Sequence, residues 1–125
     1  MTDANQPRPI FFHGREGRGN KGRKATWLRE NYGAVTPSYD TSELAVALVT
    51  AREVLEDNPP SVIIGSSFGG AVLLSLIQEG LWRGPSIFLA QAGGNFGVAL
   101  RLPEGLPAVL IHGLHDDIVP VEASR

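Results

Sequence analysis

One pentapeptide in this chain has the residue types and spacing of a nucleophilic serine site. Gly65-Ser66-Ser67-Phe68-Gly69 matches the pattern G-x-S-x-G, in which a serine stands between two small residues. A serine hydroxyl attacks a carbonyl carbon when a sharp strand-to-helix turn exposes it, and glycines on either side let the strand and helix approach closely. The pentapeptide therefore predicts acyl-transfer chemistry with Ser67 as the nucleophile.

The same segment allows two other interpretations. Ser66 fails the pattern, because Phe68 rather than a small residue stands two positions after it. A glycine-rich turn without chemistry, or one that binds phosphate at a helix N-terminus, would use similar residues. The context favours Ser67, because the turn directly follows the apolar run 61–65 and opens the apolar run 71–78. A strand and a helix in these places are what a serine nucleophile requires.

Two further segments, together with the serine turn, resemble a known family. Phe11-Phe12-His13-Gly14-Arg15 closes an apolar run before the serine turn, and residues 109–120, with the sequence VLIHGLHDDIVP, follow it. In this order the three motifs resemble the small, capless bacterial esterases of the α/β-hydrolase superfamily. The resemblance covers the chain from about residue 9 to residue 124.

The resemblance implies a role for the backbone at two of the motifs. In the family, the residue after the H-G pair and the residue after the nucleophile donate N–H groups to the oxyanion. Carried over to this chain, these residues are Arg15 and Phe68. The positions that would support the loop and the turn are His13, Gly14, Gly65 and Gly69.

The third motif implies the acidic member of a catalytic triad. The family pattern is a strand followed by H-G-x-x-D-x-x-V-P, and its aspartate is Asp116 in this chain. Such an aspartate holds the histidine base in one tautomer and stabilises the imidazolium that forms. Asp117 is an alternative because it is adjacent, and a solvated acidic turn is the interpretation without chemistry.

No histidine stands where the family has its base. The family order is nucleophile, acid, histidine, and the chain ends at Arg125, nine residues after Asp116. The histidines of the chain are His13, His112 and His115. We do not expect a triad from these, because sequence neighbours such as His115 and Asp116 diverge in direction. We expect either a fragment of a longer enzyme or a short protein with an incomplete triad, in both cases with very weak esterase activity or none.

Apolar runs and helical periods alternate along the chain and predict the elements that position these residues. The predicted strands are 9–13, 34–35, 61–65, 87–90 and 108–111. The predicted helices are 25–31, 44–55 and 71–78. This alternation predicts one α/β domain, residues 1–125, with a doubly wound, mostly parallel sheet of about five strands and helices on both faces.

Capping signals define the ends of the predicted helices. Asp40 and Glu43 have the spacing of a capping box ahead of the second helix. Asn58-Pro59-Pro60 ends that helix, and Gly80 is well placed to end the third.

Composition narrows the range of functions. The chain has 125 residues, a formal net charge of −2 and no cysteine, which excludes disulfides, thiol catalysis and cysteine-bound metals. No apolar run reaches the roughly 18 residues that a membrane helix needs. We expect a cytoplasmic protein that uses no cofactor or metal, binds neither nucleic acid nor membrane, and acts on a small acyl ester or thioester. The sequence leaves the oligomeric state open.

A basic segment precedes the first predicted helix. Six of the 11 Lys and Arg residues fall between positions 15 and 29. They either attract an anionic acyl substrate or form a solvated loop. Gly17 and Gly22 have P-loop spacing, but Arg23-Lys24-Ala25 replaces the Lys and Ser/Thr that should follow the second glycine, which argues against nucleotide hydrolysis.

Two other functions are compatible with the same scaffold. A non-catalytic binding module would keep the pocket and lack the base, and an acyltransferase would pass the acyl group to an acceptor other than water. Labelling of Ser67 by a fluorophosphonate separates the hydrolase from the binding module, and product analysis separates the hydrolase from the transferase.

Overall fold

Strands and helices alternate through the part of the chain that the structure describes. This structure is a computed structural model, and it describes residues 7–14, 21–89 and 101–111. The elements are β1 (Ile10–Phe12), α1 (Arg23–Tyr32), α2 (Leu44–Asp57), β2 (Ile63–Ser66), α3 (Phe68–Gln78), β3 (Ser86–Leu89) and β4 (Ala108–Ile111).

The four strands form one parallel sheet in the order β1-β2-β3-β4. The predicted strand at 34–35 is reduced to a single parallel bridge, in which Val35 pairs with Ile10. Val35 donates its N–H to the Pro9 carbonyl at 2.8 Å and accepts the Phe11 N–H at 2.9 Å, so it extends the sheet beyond β1 by one residue. A parallel α/β sheet is therefore confirmed, with four strands and this bridge in place of about five strands.

The direction in which consecutive strands are added to the sheet reverses next to β1. From β1 the chain passes through α1 to Val35 on the outer side, and then through α2 to β2 on the inner side. The carboxyl ends of β1 and β2 therefore lie at a topological switch point. In open α/β sheets, connections diverge there and leave a crevice, which is where such sheets bind their ligands.

Helices cover both faces of the sheet, as the sequence predicts. Successive strand residues point to opposite faces, so Ile10 and Phe12 lie on one face and Phe11 on the other. The first face packs against α2 and α3 and forms the main core. The second face packs against Ala25 and Leu28 of α1.

The third helix is the most deeply buried element. Every residue of α3 from Phe68 to Ile77 is buried except Ser75, as its apolar sequence predicts. Gly80 lies in the left-handed region with φ 78° and donates its N–H to the Ile77 carbonyl, while Leu81 donates to the Leu76 carbonyl. These two bonds form a Schellman motif and confirm Gly80 as the residue that ends the helix.

The capping box predicted for the second helix is wrong. The cap of α2 is Glu43, and it makes no side-chain capping bond. Asp40 instead accepts the backbone N–H of Ser42 at 2.8 Å, which closes a turn upstream of the helix. The hydrogen bonds from Ser42 hold the pKa of the Asp40 carboxyl below its ordinary value. Short polar side chains compete in this way for nearby backbone donors, so the spacing alone did not decide the partner.

Among the described helices, none combines the length and the apolar character needed to cross a membrane.

Candidate active site

Ser67 occupies a strained backbone position between β2 and α3. Its φ is 54° and its ψ is −115°. It is the only residue other than glycine with positive φ in the described part of the chain. Such a conformation costs about 1–3 kcal/mol and persists where the surrounding structure enforces it. The strain thus falls on the residue that the sequence predicts as the nucleophile.

Two glycines allow the sharp turn at Ser67. A Cβ atom at Gly65 would lie 2.5 Å from the carbonyl oxygen of Gly69, so the end of β2 and the first turn of α3 are in direct backbone contact. A Cβ atom at Gly69 would overlap the Phe12 carbonyl and lie 2.9 Å from the oxygen of His13. The supporting roles predicted for Gly65 and Gly69 thus have a physical basis in these close approaches.

The turn fixes Ser67 by backbone bonds and leaves its side chain available. Ser67 donates its N–H to the Leu89 carbonyl at 2.9 Å, and its own carbonyl accepts the Gly70 N–H at 2.8 Å. The residue is partly exposed, and its hydroxyl has no hydrogen-bond partner among the described residues. It lies at the N-terminus of α3, where the helix dipole and the first-turn N–H groups favour negative charge.

Ser66 differs from its neighbour Ser67 in its burial and in its hydrogen bonding. Its side chain is 2% exposed and accepts a hydrogen bond from Lys24 Nζ at 3.3 Å. The Ser66 hydroxyl is buried and bound to a cation of α1. It is therefore less accessible to an ester than the partly exposed Ser67. The choice of Ser67 that the G-x-S-x-G spacing makes stays a prediction.

His13 and Gly14 lie where β1 ends, beside the first turn of α3. The imidazole of His13 is buried and stacks on Tyr39, with ring centroids 4.2 Å apart and 9° between the planes. The Tyr39 hydroxyl donates to the His13 carbonyl at 2.7 Å. These contacts hold the start of the predicted oxyanion loop against the helix that carries Ser67, which fits a supporting role for His13.

The protonation of the His13 ring follows from its neighbour. Nδ1 lies 2.8 Å from the carbonyl oxygen of Gly14, which only accepts hydrogen bonds, so Nδ1 carries the hydrogen. In the neutral ring Nε2 is then an acceptor. Nε2 is buried and has no hydrogen-bond partner in the described structure.

Phe68 begins α3, as the predicted oxyanion role requires. Its side chain is fully buried, and its ring lies 6.0 Å from that of Tyr39. Because Phe68 is the first helical residue, its N–H lies at the N-terminal end of α3, directly after Ser67. The second predicted donor, Arg15, lies outside the described residues.

The acidic and histidine part of the prediction also falls outside the described ranges. This applies to Asp116 and its alternative Asp117, and to His112 and His115. The structure therefore brings together Ser67, Phe68, Gly65, Gly69, His13 and Gly14, and the remainder of the predicted site stays a prediction.

Sequence reasoning missed two residues at this site. Tyr39 joins His13 and Phe68, and Lys24 holds Ser66. Tyr39 lies in the aperiodic stretch 36–43, and Lys24 is one of several cations in a basic segment, so neither carried a signal of its own. Both contacts depend on residues far apart in the chain.

Comparison with known protein families, with curated proteins and with solved structures found no match to this chain. The interpretation of the site therefore depends on its own geometry. Within the described ranges, no three His, Asp or Glu side chains lie close enough together to hold a metal ion.

Proposed function

We propose that this chain is a serine hydrolase of the α/β-hydrolase type that acts on small carboxylic esters or thioesters through Ser67. The observation that carries the proposal is the backbone of Ser67, with φ 54° and ψ −115° between a buried parallel strand and a buried helix. Strained positions of this kind persist mainly at functional sites, and the nucleophile elbow of α/β-hydrolases is a sharp, strained turn between these two elements.

The position of Ser67 in the sheet adds independent support. Ser67 follows β2 at the switch point, beside the end of β1, where open α/β sheets bind their ligands. A glycine-rich turn with only a structural role has no need of a serine in a conformation that glycine adopts without cost.

The proposed reaction proceeds through an acyl-enzyme. Ser67 Oγ attacks the carbonyl carbon, and the oxygen of the carbonyl becomes an oxyanion. The N–H of Phe68, with that of Arg15 as the second predicted donor, stabilises this charge. The bond to the alkoxide or thiolate leaving group then breaks, and water releases the acyl group as a carboxylate.

The reaction also requires a base that takes the proton from Ser67 Oγ. Asp116 would orient that base if it is a histidine, as the resemblance implies. Among the described residues, none hydrogen-bonds to Ser67 Oγ, so we assign no base. Without an efficient base, the proposed enzyme would acylate Ser67 only slowly. The alternative hypothesis is therefore the non-catalytic binding module.

A fluorophosphonate probe tests the nucleophile. Fluorophosphonates phosphonylate a nucleophilic serine irreversibly, and the product accumulates even when the reaction is slow. On prolonged incubation we therefore expect labelling of the wild-type chain and no labelling of Ser67→Ala, measured by intact-protein mass spectrometry. Ser66→Ala is the matched control, because it removes the neighbouring hydroxyl, and it should still be labelled. If the wild-type chain is not labelled, or if Ser66→Ala alone abolishes labelling, the proposal is wrong.

A further inference from the structure

A cavity of about 1290 Å³ lies between α1 and the face of the sheet opposite α2 and α3. Much of its wall is apolar, and the strand and helix side chains that form this part are Phe11, Leu28, Ile64, Ile87, Leu89 and Ile111. Cavities of several hundred cubic ångströms with apolar walls and a few polar groups are typical of small-molecule sites.

Cationic groups collect where α1 begins. Lys21, Arg23 and Lys24 all line the cavity at or just before the N-terminus of this helix. The first turn of α1 contains no acidic residue, and its cap, Gly22, offers no side chain to the helix N–H groups. The described acidic residue in the wall is Glu30, about two turns further along α1. The helix dipole and three positive side chains therefore favour an anion at this end.

Lys24 binds the residue that precedes the proposed nucleophile, although Ser67 itself does not line the cavity. Its ammonium donates to Ser66 Oγ at 3.3 Å, and Ser66 precedes the proposed nucleophile directly. An ammonium has three donors, and Ser66 takes one of them. Lys24 is therefore held close to the end of β2 with donors that an anionic ligand can use.

A second, independent observation at the wall is one buried nitrogen, Nε2 of His13, that has no partner among the described residues. His13 lines the cavity and is 5% exposed, and its Nε2 has no hydrogen-bond partner in the described structure. Buried polar atoms are nearly always paired, so an unpaired one at a cavity indicates a ligand or a water that completes it.

We propose that this cavity binds the substrate, and that the substrate is an anionic amphiphile: an acyl ester or thioester that carries a carboxylate or phosphate group and an apolar chain. Lys24 binds the anionic group, and the apolar wall between α1 and the sheet covers the chain. That the bound molecule is the substrate rests on the proposed function, whereas the binding itself does not.

Binding of three eight-carbon probes, measured by isothermal titration calorimetry on the whole chain, tests this proposal. Octanoate, octyl phosphate and octanol each have eight carbons and differ in the charge of the head group. The carboxyl carbon of octanoate is one of the eight, so its apolar chain is one carbon shorter, which works against tighter binding of this anion. We expect the anions to bind at least about tenfold more tightly than octanol, and their advantage to shrink as the ionic strength rises. Tighter binding of either anion supports the proposal and identifies the head group.

Substitution of Lys24 tests whether this residue binds the anionic head group. Lys24→Met keeps most of the side-chain volume and should remove most of the anion's advantage over octanol, whereas Lys24→Arg should retain it. Arg83→Met is the matched control, because Arg83 is an exposed cation outside the cavity. If neither anion binds more tightly than octanol, or if Lys24→Met and Arg83→Met bind the anions equally, the proposal is overturned.

Fluorophosphonate labelling of the same preparations separates the two proposals. If Ser67 is labelled but the chain binds the anions no more tightly than octanol, the anionic substrate is ruled out and the hydrolase proposal stands. If the chain binds the anions but Ser67 is not labelled, the cavity stands as a binding site and the hydrolase proposal is ruled out.

Discussion

At the scale of single residues, the backbone of Ser67 is the most informative feature of this molecule. An L-residue at φ 54° and ψ −115° has close contacts that glycine avoids, so serine at this position lowers stability. Proteins keep such a cost where function requires a particular side chain. The strain thus supplies a measurable signature of the proposed role.

We predict that Ser67→Gly is more stable than Ser67→Ala by about 1 kcal/mol, because glycine relieves the strain and alanine retains it. Urea unfolding of both variants measures the difference. Ser75 is the matched control, since it lies within α3 in ordinary helical conformation. There Ser75→Gly should be less stable than Ser75→Ala by about 1 kcal/mol. The same sign at both positions would contradict a strained turn at Ser67.

Tyr39 contacts the site through a partly buried hydroxyl. Burial raises the pKa of the phenol far above its ordinary value of about 10, although its hydrogen bond to the His13 carbonyl opposes this shift. The folded chain therefore keeps a proton that the unfolded chain loses in alkaline solution. Because proton binding is linked to folding, the protonated phenol stabilises the folded chain fully below about pH 10. This contribution falls as the pH rises further.

We predict that Tyr39→Phe reduces the loss of stability above about pH 10, at the cost of about 1 kcal/mol at neutral pH for the lost hydrogen bond. Urea unfolding at several pH values from 7 to 11 measures both effects. Tyr32→Phe is the control, because Tyr32 is exposed, and its profile should follow the wild type. Identical alkaline profiles for Tyr39→Phe and the wild type would show that this phenol is not responsible.

At the scale of elements, the site depends on how closely α3 approaches two strands at once. Gly65 brings β2 against the first turn of the helix, and Gly69 brings that turn against the carbonyls at the end of β1. The backbone cannot yield easily at these contacts, because both strands are held by their neighbours in the sheet. A side chain at either glycine would move α3 and, with it, Ser67.

We predict that Gly69→Ala destabilises the chain by about 3 kcal/mol, because its Cβ would overlap the Phe12 carbonyl. Gly80→Ala is the control for conformational strain alone, since Gly80 has φ 78° and open space around it. That variant should lose about 1 kcal/mol. Thermal or urea unfolding compares the two, and equal losses would indicate that α3 does not pack as tightly on β1 as the structure describes.

At the scale of the whole molecule, the sheet brings distant segments to one crevice. The ends of β1 and β2 are about fifty residues apart in sequence and adjacent in the sheet. The cavity under α1 meets the same region through His13 and Ser66. The proposed nucleophile, the start of the predicted oxyanion loop and the proposed anionic subsite therefore depend on one feature of the topology, the reversal next to β1.

We predict that the chain by itself hydrolyses p-nitrophenyl acetate very weakly, because the Ser67 hydroxyl has no base among the described residues. A site with an oxyanion hole and no activated serine accelerates hydrolysis by roughly 10³–10⁴-fold over water. Release of p-nitrophenolate, with Ser67→Ala as the control, measures this rate. Turnover at the level of ordinary esterases would show that a base acts on Ser67 after all.

Much of the fold could be predicted because its signals are local. The apolar runs predicted β1 to β4, the helical periods predicted α1 to α3, and Gly80 predicted the end of α3. The predicted strand at 34–35 is only a bridge in the structure. The segment is two residues long and Pro37, which has no backbone N–H, follows closely, so little backbone can pair. The capping box failed because the donor that Asp40 binds depends on the local turn rather than on residue spacing.

The sequence by itself determined which serine to consider and which elements surround it, because the spacing of glycines and apolar residues fixes local geometry. Only the tertiary structure decided that Ser67 is strained, that Tyr39 packs on His13 and that Lys24 reaches Ser66. The last two of these facts join segments distant in the chain. Contacts of that kind depend on the strand order of the sheet, which periodicity along a single segment does not encode.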